Sequence, residues 1–360
     1  MSLFEVEVPT ERVPPDLLDR RLAEGWLRSG PVLFRSEMLC IDEDVRGVVQ
    51  IRLPLDREVR SRSQRRVLRR NRKRFRNEVG PARVDAERER LYEATKPRFV
   101  GPVSRELSPL ILSGDVEVFD TREFCVYDGD RLVAVSYFDV GRESVVTQLA
   151  LHDPEYARFG LGFYTMLEEI ELARSAGARF FYPGYVIPGM PSFEYKLRIG
   201  DVQYLEGNGR WRRRAQPPTR VRSAERVVRR VRALQRALER EDVAHERWIY
   251  PAFWISYLDG VGGLDADYLQ ALLHVRCASV DAQGRFLVVE YLAEHDEFQL
   301  SLVRPEHELE LAAEYDAMES LPVFYERRAL AYEDGIFRAA SAKAVARETR
   351  SALEKIDTLG

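Results

Sequence analysis

Cysteine is scarce in this chain, and metal-ligand spacing is missing. Three cysteines, Cys40, Cys125 and Cys277, lie far apart among 360 residues and form no Cys-x-x-Cys pair. That argues against a disulfide framework and against a cysteine-based metal site. Histidine is equally sparse. His152, His245, His274, His295 and His307 stand singly and read as surface or core residues rather than ligands. There is no Ser-His-Asp or Cys-His signature of a covalent nucleophile. No apolar run approaches a membrane span, and the first residues lack the basic-then-apolar pattern of a secretory signal. A soluble, cytoplasmic protein with no membrane and no metal is expected.

What is abundant is charge, and it is clustered. Nearly a third of the residues are charged, yet 55 basic and 59 acidic side chains leave a net charge of only −4. Basic residues crowd into two stretches, and the C-terminal third is acidic. The length predicts two or three domains. Residues 1–80 read as a short helix, then strands at 31–35 and 48–55, then a very basic helix over 61–79 closed by Gly80-Pro81. Another helix is expected from Asp85 to Lys96. Residues 116–151 read as an antiparallel meander that includes 116–120 as a strand. A helix over 160–176 follows, stopped by Gly177, and then a strand that runs into a loop broken by proline and glycine. This order of strands, helix and strand fits an α/β (α+β) fold, an acyltransferase-like (GNAT-like) mixed sheet with a central helix, over 81–214. Residues 215–245 read as a basic linker helix, with its arginine run taken as helical from Arg210. Residues 246–360 read as an extra C-terminal α/β domain, strand-like at 248–257, ending in an acidic helix and tail.

Two groups of residues carry the chemistry. Between Arg57 and Arg76 stand Arg60, Arg62, Arg65, Arg66, Arg69, Arg70, Arg72, Lys73 and Arg74, with Glu58 the only acid. Forked guanidinium groups suit phosphate, so a polyanion partner with strongly salt-dependent binding is expected. The alternative is a solvated face paired with the acidic C-terminal region. The second group surrounds the central helix. Gly160 and Gly162 allow close backbone approach at a helix N-terminus that favours an anion, or they simply make a tight turn. Tyr182, Gly184, Tyr185, Tyr195 and Lys196 lie beyond the next strand. Tyrosines there either stack on a base and relay a proton, or fill the core. Asp153 is a candidate proton acceptor or an ordinary turn residue. Gln148 either orients a carbonyl or faces solvent.

These positions resemble the arginyl- and leucyl-tRNA–protein transferase family. The first block is Gly25-Trp26-Leu27-Arg28-Ser29-Gly30, Phe34-Arg35, and Ser61-Arg62-Ser63-Gln64-Arg65-Arg66 with Asn71. The second is Leu161-Gly162-x-Tyr164, Glu169-Ile170-Glu171-Leu172-Ala173, Tyr182-x-Gly184-Tyr185 and Tyr195-Lys196, closing near Trp211. The resemblance covers roughly Gly25 to Trp211. It implies transfer of Arg or Leu from charged tRNA to the N-terminal amine of an acceptor protein beginning with an acidic residue. No cofactor is implied beyond aminoacyl-tRNA as co-substrate. It also implies a donor site at Gly160, Gly162 and Tyr164, an acceptor site at Tyr182, Gly184, Tyr185, Tyr195 and Lys196, and acid-pairing roles for Arg28, Arg35 and Arg65. The tRNA surface would comprise Arg62, Gln64, Arg65, Arg66, Arg69, Arg70, Asn71, Arg72 and Lys73. The family's cysteine cluster is missing, because Ser36–Val45 keeps only Cys40. One thiol cannot hold an iron–sulfur cluster. An acetyl-CoA-dependent N-acyltransferase of the same fold and an inactive tRNA-binding homologue are the alternatives.

Overall fold

The structure is a computed structural model that describes residues 4–41, 44–57, 60–99, 104–112, 117–214, 216, 218–249, 269, 273–279, 284–308 and 328–357. The chain opens with β1 (Phe4–Glu7), α1 (Pro15–Ala23), β2 (Leu27–Ser29) and β3 (Val32–Ser36). β3 pairs antiparallel with both β1 and β2. Prolines 14 and 15 start α1, which buries Leu18 and Leu22. Gly25 then turns the chain at a φ of +89°. A hairpin of β4 (Met38–Ile41) and β5 (Asp44–Gly47) follows.

The next elements are β6 (Val49–Pro54), α2 (Arg62–Arg74), β7 (Arg76–Pro81), α3 (Ala86–Thr95), α4 (Ser108–Ile111), β8 (Thr121–Asp128), β9 (Arg131–Val140), β10 (Ser144–His152), α5 (Leu161–Ser175), β11 (Phe180–Tyr182), β12 (Tyr185–Val186), α6 (Pro191–Glu194), β13 (Gln203–Leu205) and β14 (Trp211–Arg213). They build one sheet in the order β14-β13-β6-β11-β10-β9-β8-β7, with β12 also on β6. α5 and α2 cover one face. Leu161, Leu167 and Ile170 of α5 meet Phe124, Val133, Val145 and Phe181 there. α1 and α3 cover the other face, over Val146 and Tyr182 and over Val135 and Tyr137. Strands covered on both sides read as near-continuous apolar runs, as β9 does from Leu132 to Phe138 with Ser136 as its one polar residue.

The basic helix expected over 61–79 stops at Arg74. Phe75 is extended and buried, and Arg76–Pro81 pairs with β8 at the sheet edge. Edge pairing outweighs the helical preference of the arginine run. Residues 117–120 are not a strand. Val118 and Phe119 fill the core beside Trp26, and the Val118 carbonyl accepts from the Val13 N–H at 2.8 Å. The boundary drawn at 80 cuts through the sheet, because β6 and β7 are strands of it.

The C-terminal unit consists of α7 (Arg222–Arg240), β15 (His245–Ile249), β16 (Leu273–Ser279), β17 (Phe286–Leu292), β18 (Glu297–Glu308), β19 (Arg328–Ala339) and α8 (Ala342–Asp357). Its antiparallel sheet runs in that strand order. α7 is not a linker. Its Val227, Val231, Leu234 and Leu238 join Val275, Leu287, Val289 and Leu300 in the core of this unit. Arg212 and Arg213 lie on β14 rather than on a helix. α8 is not acidic, since Lys343, Arg347, Arg350 and Lys355 offset Glu348, Glu354 and Asp357. Most of the strand expected over 248–257 and the acidic stretch at 309–327 lie outside the described residues.

Candidate active site

A break in the central sheet creates the site. β10 and β11 run parallel for only three pairs, from Ser144 with Phe180 to Val146 with Tyr182. They then part. β10 bulges between Thr147 and Leu149, and β12 pairs with β6 instead of β10. The bulge leaves Gln148 as the extra residue and turns it into the gap. A cavity of roughly 520 Å³ fills the opening and is lined by Arg28, Gln148, His152, Gly160, Gly162, Gly184, Tyr185, Tyr195 and Lys196 among others. The sequence-expected donor glycines and the acceptor loop thus face one another across one space.

The rim on the helix side is built around Gly160, which has a φ of +65° and caps α5. A side chain there would be strained. The intrahelical bonds of α5 begin with Phe163 and Tyr164 to the Gly160 carbonyl. The amides of Leu161 and Gly162 therefore precede the ladder and supply the positive end of the helix. His152 stands beside them. Arg98 donates to its Nε2 at 2.8 Å, so the proton sits on Nδ1, which has no partner and faces Gly162. Burial, and then the Arg98 charge, push the imidazole below its ordinary pKa, so it is neutral near pH 7. The sequence singled out neither Arg98 nor His152. The only signal was the position of His152 at the end of β10.

The opposite rim is the loop from Gly184 to Lys196. Lys196 Nζ donates to the Tyr185 carbonyl at 3.2 Å and sits 5.2 Å from the Tyr185 ring centroid and 5.8 Å from that of Phe193. Those two rings stack at 5.6 Å. Gly184 has a φ of +85°, a left-handed conformation that favours glycine, and a Cβ there would stand in ordinary contact with Nζ at 3.6 Å. Among the described residues no carboxylate pairs with Lys196, and burial pushes its pKa down to about 8. Burial also pushes Tyr195 up to about 12. Under the floor lies Glu169, fully buried near Ser136 and Thr147 without a well-formed hydrogen bond to either, its carboxyl pushed up to about 8 by burial.

Other expected residues are placed elsewhere. Tyr164 points into the core and meets Asn77 at 2.7 Å. Tyr182 is core beside Trp211, and its hydroxyl accepts from Arg52 at 3.3 Å. Asp153 does not line the cavity. Burial alone would raise its pKa, but the Glu155 N–H and Arg131 at 2.5 Å outweigh burial and hold the carboxyl low. That makes it a poor proton acceptor. Arg28 reaches the cavity wall with its guanidinium occupied, donating to Asp139 at 2.8 Å, Thr121 at 2.7 Å and the Ile111 carbonyl at 2.7 Å. Gln148 donates to the same Asp139 at 2.8 Å. Arg35 pairs with Glu5.

α2 divides its residues between two tasks. Gln64 forms a capping box with Ser61 and donates to the Arg198 carbonyl, and the buried Asn71 donates to the Phe159 carbonyl just before Gly160. Both hold the site rather than face solvent. Arg72 pairs with Glu168, and Arg70 donates to the Phe159 carbonyl. Arg62, Arg65, Arg66, Arg69 and Lys73 are exposed along one face, and for Arg62, Arg66, Arg69 and Lys73 no acidic partner is recorded among the described residues. α2 packs on α5, and the acidic stretch at 309–327 expected as its alternative partner lies outside the described residues.

Residues 70–206, which hold both rims of the cavity, match the family model described as arginine-tRNA-protein transferase, C terminus. Over that span, which is less than half of the chain, it is similar to that family of transferases. It is similar to proteins named aspartate/glutamate leucyltransferase. The Ruegeria pomeroyi protein is 28% identical over 198 residues, covering 54% of this chain and 71% of that one. The Chromobacterium violaceum protein is 29% identical over 213 residues, covering 58% and 84%. Among solved structures the chain is similar to FemX at 13% identity and a TM-score of 0.32, over 52% of this chain and 65% of that one. A score that low leaves the fold to be argued from the strands themselves. The family match ends at residue 206, so α7 to α8 lie beyond it. Among the described residues no group of three or more His, Cys, Asp or Glu side chains is placed to hold a metal. No described helix is long and apolar enough to cross a membrane.

Proposed function

We propose that this protein is an aminoacyl-tRNA–protein transferase that moves leucine from charged tRNA onto the N-terminal amine of acceptor proteins beginning with Asp or Glu. The sequence left arginine and leucine both open, and the names of the relatives favour leucine. The observation that carries the reading is the cavity in the parted sheet, with the amide-lined start of α5 on one rim and Lys196 on the other. An acyltransferase-like fold goes with it. The exposed arginine face of α2 takes the tRNA, in a cytoplasmic setting.

The ester of the donor is already activated, so no enzyme nucleophile is needed. The acceptor amine, under Tyr185 and Lys196, attacks the ester carbonyl. A C–N bond forms, the ester C–O bond breaks, and the ribose hydroxyl leaves with a proton. The amides of Leu161 and Gly162 and the Nδ1–H of His152 face the developing oxyanion. Lys196, poised near pH 8, takes part in moving the amine's proton and holds the acidic first residue when charged. The test is to incubate the purified protein with labelled Leu-tRNA or Arg-tRNA and a peptide beginning with Glu. Label is expected on the peptide from Leu-tRNA, and its absence with both donors would end the reading.

A further inference from the structure

Next to the acceptor rim lies a second concavity that the transfer chemistry does not use. It is a furrow of roughly 510 Å³ between α7 and the β4–β5 hairpin, and it reaches Ile187 and Pro188. These directly follow β12, whose Tyr185 lines the catalytic cavity. The furrow carries Arg46, Arg220, Arg229, Arg232 and Arg236 against one acid, Glu225. Arg220 meets that glutamate at 3.6 Å. Arg229, Arg232 and Arg236 are exposed on one face of α7, opposite the buried stripe of Val227, Val231 and Leu234, and no ion pair is recorded for them among the described residues. The floor is aliphatic, from Val45, Pro188, Val221, Ala224 and Val228.

We propose that this furrow holds the acceptor polypeptide just downstream of its first residue and favours acceptors that are acidic there. The inference rests on the placement of the acceptor amine under Tyr185 and Lys196. An extended chain leaving that point advances about 3.3 Å per residue, and the furrow begins at Ile187 and Pro188, just beyond Tyr185, so the residues shortly after the first are the ones within its reach. Charge complementarity selects an acidic segment. The aliphatic floor suits alternate side chains of an extended peptide. An RNA strand is the poorer occupant, because the furrow adjoins the acceptor rim at Ile187 and Pro188, whereas the exposed basic face of α2 stands beside the donor rim. The donor side is also served by α2, which borders the opposite rim at Phe159.

Two peptides that begin with Glu and carry a C-terminal fluorophore decide the matter. One has Asp and Glu at positions three to six, the other Ser and Gln. Each is titrated with the full chain and with the Arg229→Glu/Arg232→Glu/Arg236→Glu variant, and labelled tRNA is titrated alongside. The wild type is expected to bind the acidic peptide about tenfold more tightly than the neutral one. The variant should lose that ratio while keeping its tRNA affinity, which also reports that it is folded. With Leu-tRNA as donor, the KM values should follow the same ratio. Equal affinity of the wild type for both peptides would overturn the proposal, as would an acid preference that survives in the variant. Loss of tRNA affinity in the variant, with peptide binding unchanged, would assign the furrow to RNA instead. Failure of leucine transfer to either peptide would count against the transferase reading, and the equilibrium titrations would still decide the furrow.

Discussion

Replacing Lys196 with methionine is expected to make the protein more stable and inactive at once. The ammonium lies under Tyr185 and Phe193, and among the described residues it has only the Tyr185 carbonyl as a hydrogen-bond partner and no carboxylate beside it. A lysine that titrates near 8 in the folded chain rather than at 10.5 has its charged form disfavoured by folding. The difference corresponds to about 3 kcal/mol. The sign follows from proton binding. Below pH 8 both states carry the proton, and the folded state bears the whole penalty. Between pH 8 and 10.5 the unfolded chain keeps the proton that the folded protein has released, so this contribution makes stability rise with pH. Above 10.5 both states are neutral. Methionine fills the same volume without the charge. Lys196→Met is therefore expected to raise the unfolding free energy by up to about 3 kcal/mol at pH 7 and by little at pH 10.5. Urea denaturation of both proteins at the two pH values measures this, and leucine transfer is expected to fall at least about 100-fold. A stability difference that is the same at both pH values, or a destabilised variant at pH 7, would refute the argument that an uncompensated charge sits there.

Glu169→Gln tests the carboxyl under the cavity floor. With a folded pKa of about 8 against an ordinary 4.5, the unfolded chain loses a proton between those values that the folded chain retains, so this group makes stability fall as pH rises through that window. The glutamine variant should match the wild type at pH 4 and exceed it by up to about 5 kcal/mol at pH 8.5, as read by denaturant unfolding. Combining Arg62→Glu, Arg66→Glu and Arg69→Glu on the exposed face of α2 should weaken tRNA binding and lower the slope of log affinity against log salt by about 2. An unchanged slope would remove α2 from the RNA interface. Gly160→Ala places a side chain at a φ of +65° and should cost about 1 kcal/mol of stability. Because Gly160 starts α5, the KM for Leu-tRNA should rise as well, which steady-state kinetics with varied donor would show.

Much of this site was already present in the linear order of residues. Glycine at 160, 162 and 184, and the pair Tyr195-Lys196, are local choices whose consequences are local: a left-handed cap, an open approach, a loop. The capping box at Ser61 and Gln64 and the apolar stripe of α5 are likewise short-range patterns, and the helices they specify begin where the pattern puts them. Long-range pairing decided the rest. Arg76–Pro81 has a helical-looking neighbour yet became an edge strand, because β8 offered it a ladder of backbone partners. Arg28 looks in sequence like any basic residue near a loop, but Asp139, 111 positions away, occupies it. His152 acquired its tautomer from Arg98, a residue that only folding brings to it. Periodicity and capping depend on neighbours within a few residues, so the chain declares them on its own. Which charge meets which, and where two parallel strands part to leave a cavity, depend on partners tens of residues apart, and only the assembled sheet brings those together.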